Sequence, residues 1–282
     1  MRTIEEVRGH VHGMWAGVAA KWAEHADDVD QRGAEVTEAM LAKVHLRAGE
    51  RVLELACGPG GAGLAAAERV GPDGEVVLSD VVAEMVSIAA ERAARRGLTN
   101  VRTATLDLEQ IEESDCSFDV VICREGLMFA VEPVRAIAEI HRVLRPAGRA
   151  SVAVWGSQQE NPWLGLVFDA VTAVTGFPVP PPGMPGPFAL DDESRLHDMF
   201  AAAGFDHVEL DRLPSPLHSP SFDAWWARTK AVAGPLSAML ARLDSETGAA
   251  LEARLRDAVA PYTTASGLEL PGLTLLVTAR RP

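Results

Sequence analysis

Three carboxylates and a cluster of glycines are the residues of this chain best suited to chemistry. Residues 50–63 read Glu-Arg-Val-Leu-Glu-Leu-Ala-Cys-Gly-Pro-Gly-Gly-Ala-Gly. Apolar Val52, Leu53 and Leu55 enclose an acid, Glu54, and lead into a turn where Gly58, Gly60 and Gly63 fit Gly-x-Gly-x-x-Gly. An alanine-rich helix is expected from Ala62 to Val70. A strand, turn and helix in that order bring bare backbone up to a small polar ligand at a helix N-terminus. A site for phosphates alone has little use for a carboxylate at the strand end, whereas a ligand with an ammonium group does. Asp80 closes the second predicted strand, where an acid suits the two hydroxyls of a ribose. Asp107 ends the third, and its carboxylate can accept a hydrogen bond from an exocyclic amine. Each acid also has a plainer reading: Glu54 satisfied by backbone amides, Asp80 as a helix cap, Asp107 as a turn residue.

The elements that must position these groups follow from hydrophobic periodicity. Strands are expected at Val52–Leu55, Glu75–Ser79, Val101–Thr105, Phe118–Cys123 and Arg149–Trp155, with helices between most of them. Gly71-Pro72-Asp73-Gly74 ends the first helix, Gly97 the second, and Pro133 opens the third. This alternation implies an α/β fold whose parallel strands are joined by right-handed crossovers. The three acids then share the carboxyl edge of the sheet, where ligands of open α/β sheets bind. Before the alternation, two helical patterns (Trp15, Val18, Ala19, Trp22; then Val36, Met40, Leu41, Val44) flank a polar stretch from Glu24 to Gly33. After Trp155 the rhythm breaks. Phe177–Phe188 is proline-rich and expected to be irregular. A helix at Glu193–Ala203, a strand at Val208–Leu213, two or three helices over 221–262 and a last strand at Leu273–Ala279 complete the chain.

Composition bounds the partners. With a net charge of −14 over 282 residues and no basic run, a nucleic-acid backbone or an anionic membrane surface is a poor match. Cys57, Cys116 and Cys123 lack paired or metal-ligand spacing, so no disulfide framework and no metal site is expected. No apolar run approaches the ~18 residues of a membrane span, and the N-terminus shows no targeting segment. The expectation is a cytoplasmic protein, monomeric or homodimeric, with a small-molecule partner.

Taken together, the motifs resemble those of class I S-adenosylmethionine-dependent methyltransferases. The matching segments are Val-Leu-Glu-Leu-Ala-Cys-Gly-Pro-Gly (52–60), Leu-Ser-Asp-Val (78–81), Leu-Asp-Leu (106–108), Phe-Asp-Val-Val-Ile-Cys-Arg-Glu-Gly-Leu-Met-Phe (118–129) and Arg-Val-Leu-Arg-Pro-Ala-Gly-Arg (142–149). The match runs over residues 34–156 and is most similar to the branch of ubiquinone, menaquinone and natural-product methyltransferases. The resemblance implies a doubly wound, mostly parallel seven-stranded, Rossmann-like sheet. A helical lid would come from the N-terminus and from an insertion before the last strand. It implies S-adenosylmethionine as methyl donor, leaving as S-adenosylhomocysteine. Glu54 would hold the methionine ammonium, and Ala56, Gly58 and Gly60 would let the backbone approach the methionine portion. Asp80 would bind the ribose, Val81 the adenine face, and Asp107 and Leu108 the adenine edge. Arg124 would line the site mostly through its backbone. Ala56 and Ala147 stand where the family more often has glycine.

The division expected is lid helices at 1–48, a cofactor-binding core at 49–156, a proline-rich substrate-side segment and helix at 157–207, and the last two strands with an inserted helical lid at 208–282. All six tryptophans (Trp15, Trp22, Trp155, Trp163, Trp225, Trp226) fall outside residues 23–154. As a set they suggest a hydrophobic acceptor under an aromatic lid, against the alternative of plain helix packing. Transfer from a sulfonium needs a base only if the nucleophile arrives protonated. His12, Glu125 and His218 are the candidates, with Glu125 read alternatively as an exposed loop acid. Two other functions share the glycine pattern: an NAD(P)-dependent oxidoreductase, and a non-catalytic S-adenosylmethionine-binding module. Against the first, Pro59 sits in the turn, and the sole tyrosine, Tyr262, lacks a lysine four residues on.

Overall fold

A computed structural model describes residues 3–181 and 184–282. Four helices come first: α1 (Ile4–Ala16), α2 (Ala19–Glu24), α3 (Ala26–Arg32) and α4 (Ala34–Lys43). Thr3 and Glu6 cap α1 reciprocally, the Thr3 amide donating to the Glu6 carboxylate at 2.7 Å. The polar stretch expected to separate two helices is itself helical, as α3. Its acids are held from the protein side: Arg92, 5% exposed, donates to Asp27 at 2.8 Å and to Asp30 at 2.7 Å.

The core then alternates as β1 (Arg51–Glu54), α5 (Gly61–Val70), β2 (Glu75–Asp80), α6 (Ala83–Arg95), β3 (Val101–Thr105), β4 (Phe118–Arg124), α7 (Pro133–Val143) and β5 (Leu144–Trp155). The remainder is α8 (Pro162–Thr175), α9 (Glu193–Ala202), β6 (Asp206–Pro214), β7 (Leu217–Ser219), α10 (Phe222–Val232), α11 (Pro235–Leu240), α12 (Ser245–Val259), β8 (Thr263–Thr264), β9 (Gly267–Leu270) and β10 (Leu273–Arg280). Seven strands form one sheet in the order β3-β2-β1-β4-β5-β10-β6. The first five in chain order are parallel, and β10 runs antiparallel between β5 and β6. The fold is thus the expected doubly wound, mostly parallel α/β sheet. Strand order reverses between β1 and β4, and their carboxyl ends flank the crevice that such a reversal opens.

The sheet is buried on both faces. Val121 joins Leu53, Val77 and Val152 on the side of α7 and α9, while Val120 and Ile122 join Val52, Val76 and Ala153 on the side of α4, α5 and α6. That is why β4 reads as an unbroken apolar run. Each of these valine, leucine and isoleucine side chains contributes about 1.5–3 kcal/mol by leaving water. β5 begins five residues earlier than expected because Leu144 pairs with Phe118 before the register shifts.

Two features depart from the sequence expectations. Helix α8 fills part of the stretch after Trp155, and β7, β9 and β8 form a separate three-stranded sheet. Both belong to a third apolar cluster, in which Trp163, Phe168 and Val171 of α8 meet Trp225, Trp226, Leu255 and Leu270. The proline-rich Phe177–Phe188 carries no helix or strand among its described residues; Pro182 lies outside them.

Candidate functional site

Glu54 ends β1 and is 2% exposed. Its Oε2 accepts from the Gly63 amide at 2.8 Å, at the start of α5. A Cβ on Gly63 would strike both Leu78 and this carboxylate, so the helix reaches the acid only because residue 63 is glycine. Burial pushes the Glu54 carboxyl up to about 8, against the pull of Arg124 and the Gly63 amide; Asp30 and Asp80 add to the rise. Glu54 has no ion-pair partner among the described residues.

Asp80 ends β2. One carboxylate oxygen accepts from the Gly58 amide and the other from the Val82 amide, both at 2.9 Å. It holds the turns at Gly58 and Val82 and does not cap α6, whose N-cap is Val82 with no side-chain bond, and each oxygen keeps a lone pair. Burial raises its pKa, while the two amides and His12 oppose the rise. Asp107, just past β3, accepts from the Glu109 amide at 2.8 Å.

These acids border one cavity of about 460 Å³, whose wall also includes Ala56, Gly58, Val81, Leu108 and Arg124. Gly60 is the exception among the residues expected to meet a cofactor. It is buried beneath the turn with φ +88°, and a Cβ there would sit 3.1 Å from Ala89 and from Leu78. Its role in the geometry is to turn the chain into α5. Ala56 holds φ +50° and Ala147 φ +65°, so both alanines adopt the left-handed conformation that favours glycine. Ala56 also blocks any side chain at Gly126, whose Cβ would collide with its own. The Arg124 side chain donates to Thr37 Oγ1 at 2.8 Å and pairs with Asp30 at 3.5 Å.

Tryptophans also line the cavity, and Trp15 and Trp22 pack beside Val82 and Met85, close to Asp80. The lining ones are Trp15, Trp22, Trp155 and Trp163; Trp225 and Trp226 are outside its wall, buried in the cluster they share with α8 and α12. Trp22 Nε1 donates to the Val232 carbonyl at 3.1 Å, which ties the N-terminal helices to α10. Trp155 and Trp163 meet edge to face, 4.7 Å apart at 88°. Asn161, fully buried, fixes the second of these. Its Oδ1 accepts from Trp163 Nε1 at 3.0 Å and from the Leu273 amide at 3.1 Å, and its Nδ2 donates to the carbonyls of Gly156, Ser157 and Leu273, each at 3.1 Å.

Among the base candidates, His12 and Glu125 border the cavity. Glu125 is half-buried with φ +59°, not an exposed loop acid. His218 is exposed on β7 and lies outside the cavity wall, because the strand alternation turns its neighbour Leu217 inward instead. Sequence reasoning missed three positions. Arg8 of α1 donates to Glu109 and, at 2.6 Å, to Glu132, and so straps the N-terminal helix across the loops after β3 and β4. Arg92 also holds the Pro59 carbonyl at 2.9 Å, fixing the glycine turn. Arg32, at the end of α3, lies in the cavity wall. Only its place in a polar stretch marked it, and polarity there reads as solvent exposure.

Residues 46–179 match the family model described as a methyltransferase domain. The chain is 30% identical over 225 residues to a ubiquinone/menaquinone biosynthesis C-methyltransferase of Ralstonia pickettii (strain 12J), covering 74% of this chain and 89% of that protein. In fold it is similar to the YcgJ protein of Bacillus subtilis, with a TM-score of 0.60 at 21% identity over 88% of this chain and 98% of that one. It is also similar to the [4+2]-cyclase SpnF, with a TM-score of 0.54 at 26% identity over 88% and 81%. The chain belongs to the class I S-adenosylmethionine-dependent methyltransferases. S-adenosylmethionine is its methyl donor, and the oxidoreductase reading falls away. The cavity fits such a donor on its own terms: a buried carboxylate lacking a cation at Glu54, and an Asp80 with an acceptor site left on each oxygen, face the same space.

Proposed function

We propose that this chain methylates a small, largely apolar acceptor with an aromatic body, held between the acidic rim and the tryptophan wall. The observation that carries this reading is the continuity of those two surfaces within one cavity. Its volume falls in the range of small-molecule sites, roughly 300–1,000 Å³. S-adenosylmethionine, when bound, supplies an already activated methyl group on a sulfonium.

The residues then divide the remaining work. Glu54 would take the ammonium of the methionine part, a contact that favours its ionised form and offsets its burial. Ala56 and Gly58 present backbone where a bulkier turn would block approach. Asp80 would hold the ribose hydroxyls with its two remaining lone pairs, Val81 would cover the adenine face, and Asp107 with Leu108 would meet the adenine edge. Arg124, braced by Thr37 and Asp30, keeps the floor beside Glu54 in place. The tryptophans orient the acceptor and exclude water, which is most of what such a transfer requires of a protein. Glu125 and His12, which border the cavity, are the candidates for a base where the nucleophile arrives protonated.

The test has two parts. Calorimetry should find micromolar binding of S-adenosylhomocysteine and none of NAD(P), with Asp80→Ala weakening the former by ~1–3 kcal/mol. Labelled methyl transfer should then appear with members of a panel of phenols and quinones. Unchanged affinity in Asp80→Ala removes the ribose assignment. Tight donor binding with label moving to no apolar acceptor would favour the non-catalytic module.

A further inference from the structure

Arg32 is a half-buried guanidinium in the cavity wall with no hydrogen bond or ion pair to its side chain among the described residues. Its face lies 3.7 Å from the centre of the Trp163 ring, and its charge is 5.7 Å from that of Trp155. Stacking uses the face of the fork and leaves its edge, with five N–H donors, free to bond. No hydrogen bond or ion pair to Arg32 occurs among the described residues, although the other cavity-lining arginines have partners: Arg8 has Glu109 and Glu132, Arg124 has Asp30 and Thr37, and Arg228 has the His218 carbonyl at 3.5 Å. Its edge donors are therefore unspent within the protein and available to a ligand in the cavity that Arg32 lines.

The surrounding charge has the sign to match. Arg32 and Arg228 line the same cavity and repel each other; Glu125 attracts Arg32 without reaching ion-pair distance. Asp28 attracts Arg228 from the exposed face of α3. The charged groups acting on Arg32 are Glu125, Arg228 and Arg124, and Arg124 is already paired with Asp30, so the immediate surroundings of Arg32 carry a positive excess that suits an anion. Burial lowers the pKa of Arg32 to about 10, Glu125 opposing and Arg228 and Arg124 adding to the fall, so it remains charged at neutral pH. Asn161 locks Trp163 in place, and the guanidinium stacked on it has little freedom to turn away.

We propose that the acceptor is an aromatic monoanion whose carboxylate is gripped by the edge of Arg32 while its ring lies against the Trp155–Trp163 corner. This rests on the acceptor site proposed above and names its chemical class. A planar carboxylate matches the guanidinium fork with two parallel hydrogen bonds, which an ammonium cannot reproduce. Arg32 is a specificity residue in this account.

The experiment titrates the S-adenosylhomocysteine-saturated protein with benzoate, salicylate and naphthoate, each against its own amide, by calorimetry and tryptophan fluorescence. At least one carboxylate is expected to bind about tenfold or more tightly than its amide. Arg32→Gln should abolish that preference while S-adenosylhomocysteine affinity stays within about twofold. Equal binding of acid and amide, failure of every carboxylate into the millimolar range, or a preference that survives Arg32→Gln overturns the proposal. If Arg32→Gln loses S-adenosylhomocysteine binding altogether, Arg32→Lys decides: the preference must fall, and an unchanged one overturns the proposal. Absence of S-adenosylhomocysteine binding by the unaltered chain would instead overturn the donor site, and that first titration reads it separately.

Discussion

The two ends of the cavity are built by opposite rules. The acidic end is made where strands stop: Glu54 ends β1, Asp80 ends β2, and Asp107 follows β3. Each acid is held by amides of neighbouring turns, at Gly63, at Gly58 and Val82, and at Glu109. The aromatic end takes Arg32 from α3, Trp155 from β5, Trp163 from α8 and Arg228 from α10. The first end is local geometry repeated along one sheet edge, and the second is an assembly of distant pieces. A constant ligand suits the first, and a variable one suits the second.

Substitutions can separate the two ends. The largest effect belongs to Glu54→Gln, which removes the charge while keeping the shape. It should weaken S-adenosylhomocysteine binding by about 2–4 kcal/mol in calorimetry. Because the carboxyl sits at about 8 in the ligand-free protein and near 4.5 when unfolded, its share of stability is full below 4.5 and is lost as pH rises through 8. Ligand binding should therefore release roughly one proton at pH 7, measurable in buffers of different ionisation enthalpy, and Glu54→Gln should abolish that release. Next, Trp163→Ala should cost acceptor binding ~1–3 kcal/mol while leaving the S-adenosylhomocysteine isotherm in place; equal loss of both would erase the distinction between the ends. Arg8→Ala cuts the strap over the acidic end and leaves buried Glu109 with only backbone partners. It should weaken S-adenosylhomocysteine by ~1–2 kcal/mol, seen in stopped flow mainly as faster release. Smallest, Ala56→Gly should raise the unfolding free energy by about 1 kcal/mol or less, since the residue already holds φ +50°.

The contrast also explains what the sequence made legible. Strand–helix alternation, the sheet class and the three acids could be read because each is encoded within a few neighbouring residues. Even the unusual alanines at 56 and 147 were visible as departures, and the structure keeps their glycine-like conformation. Helix α3 was not legible, because Asp27, Asp30 and Arg32 look like a solvated linker until Arg92 and the tryptophans arrive from elsewhere. Helix α8 was missed because it is apolar on nearly every face, so no stripe marks it. The small sheet has strands of two to four residues, too short for alternation to register. Gly60 lies beneath the cavity wall, and a pattern of glycines does not say which one faces the cavity and which one bends the chain.

Asn161 has one more implication. With every polar atom of its amide engaged, it rivets the indole of Trp163 to the start of β10 rather than to the helices above. The indole is thereby registered to the same sheet whose parallel strands lead into the acids, so the spacing between the two is set by the sheet.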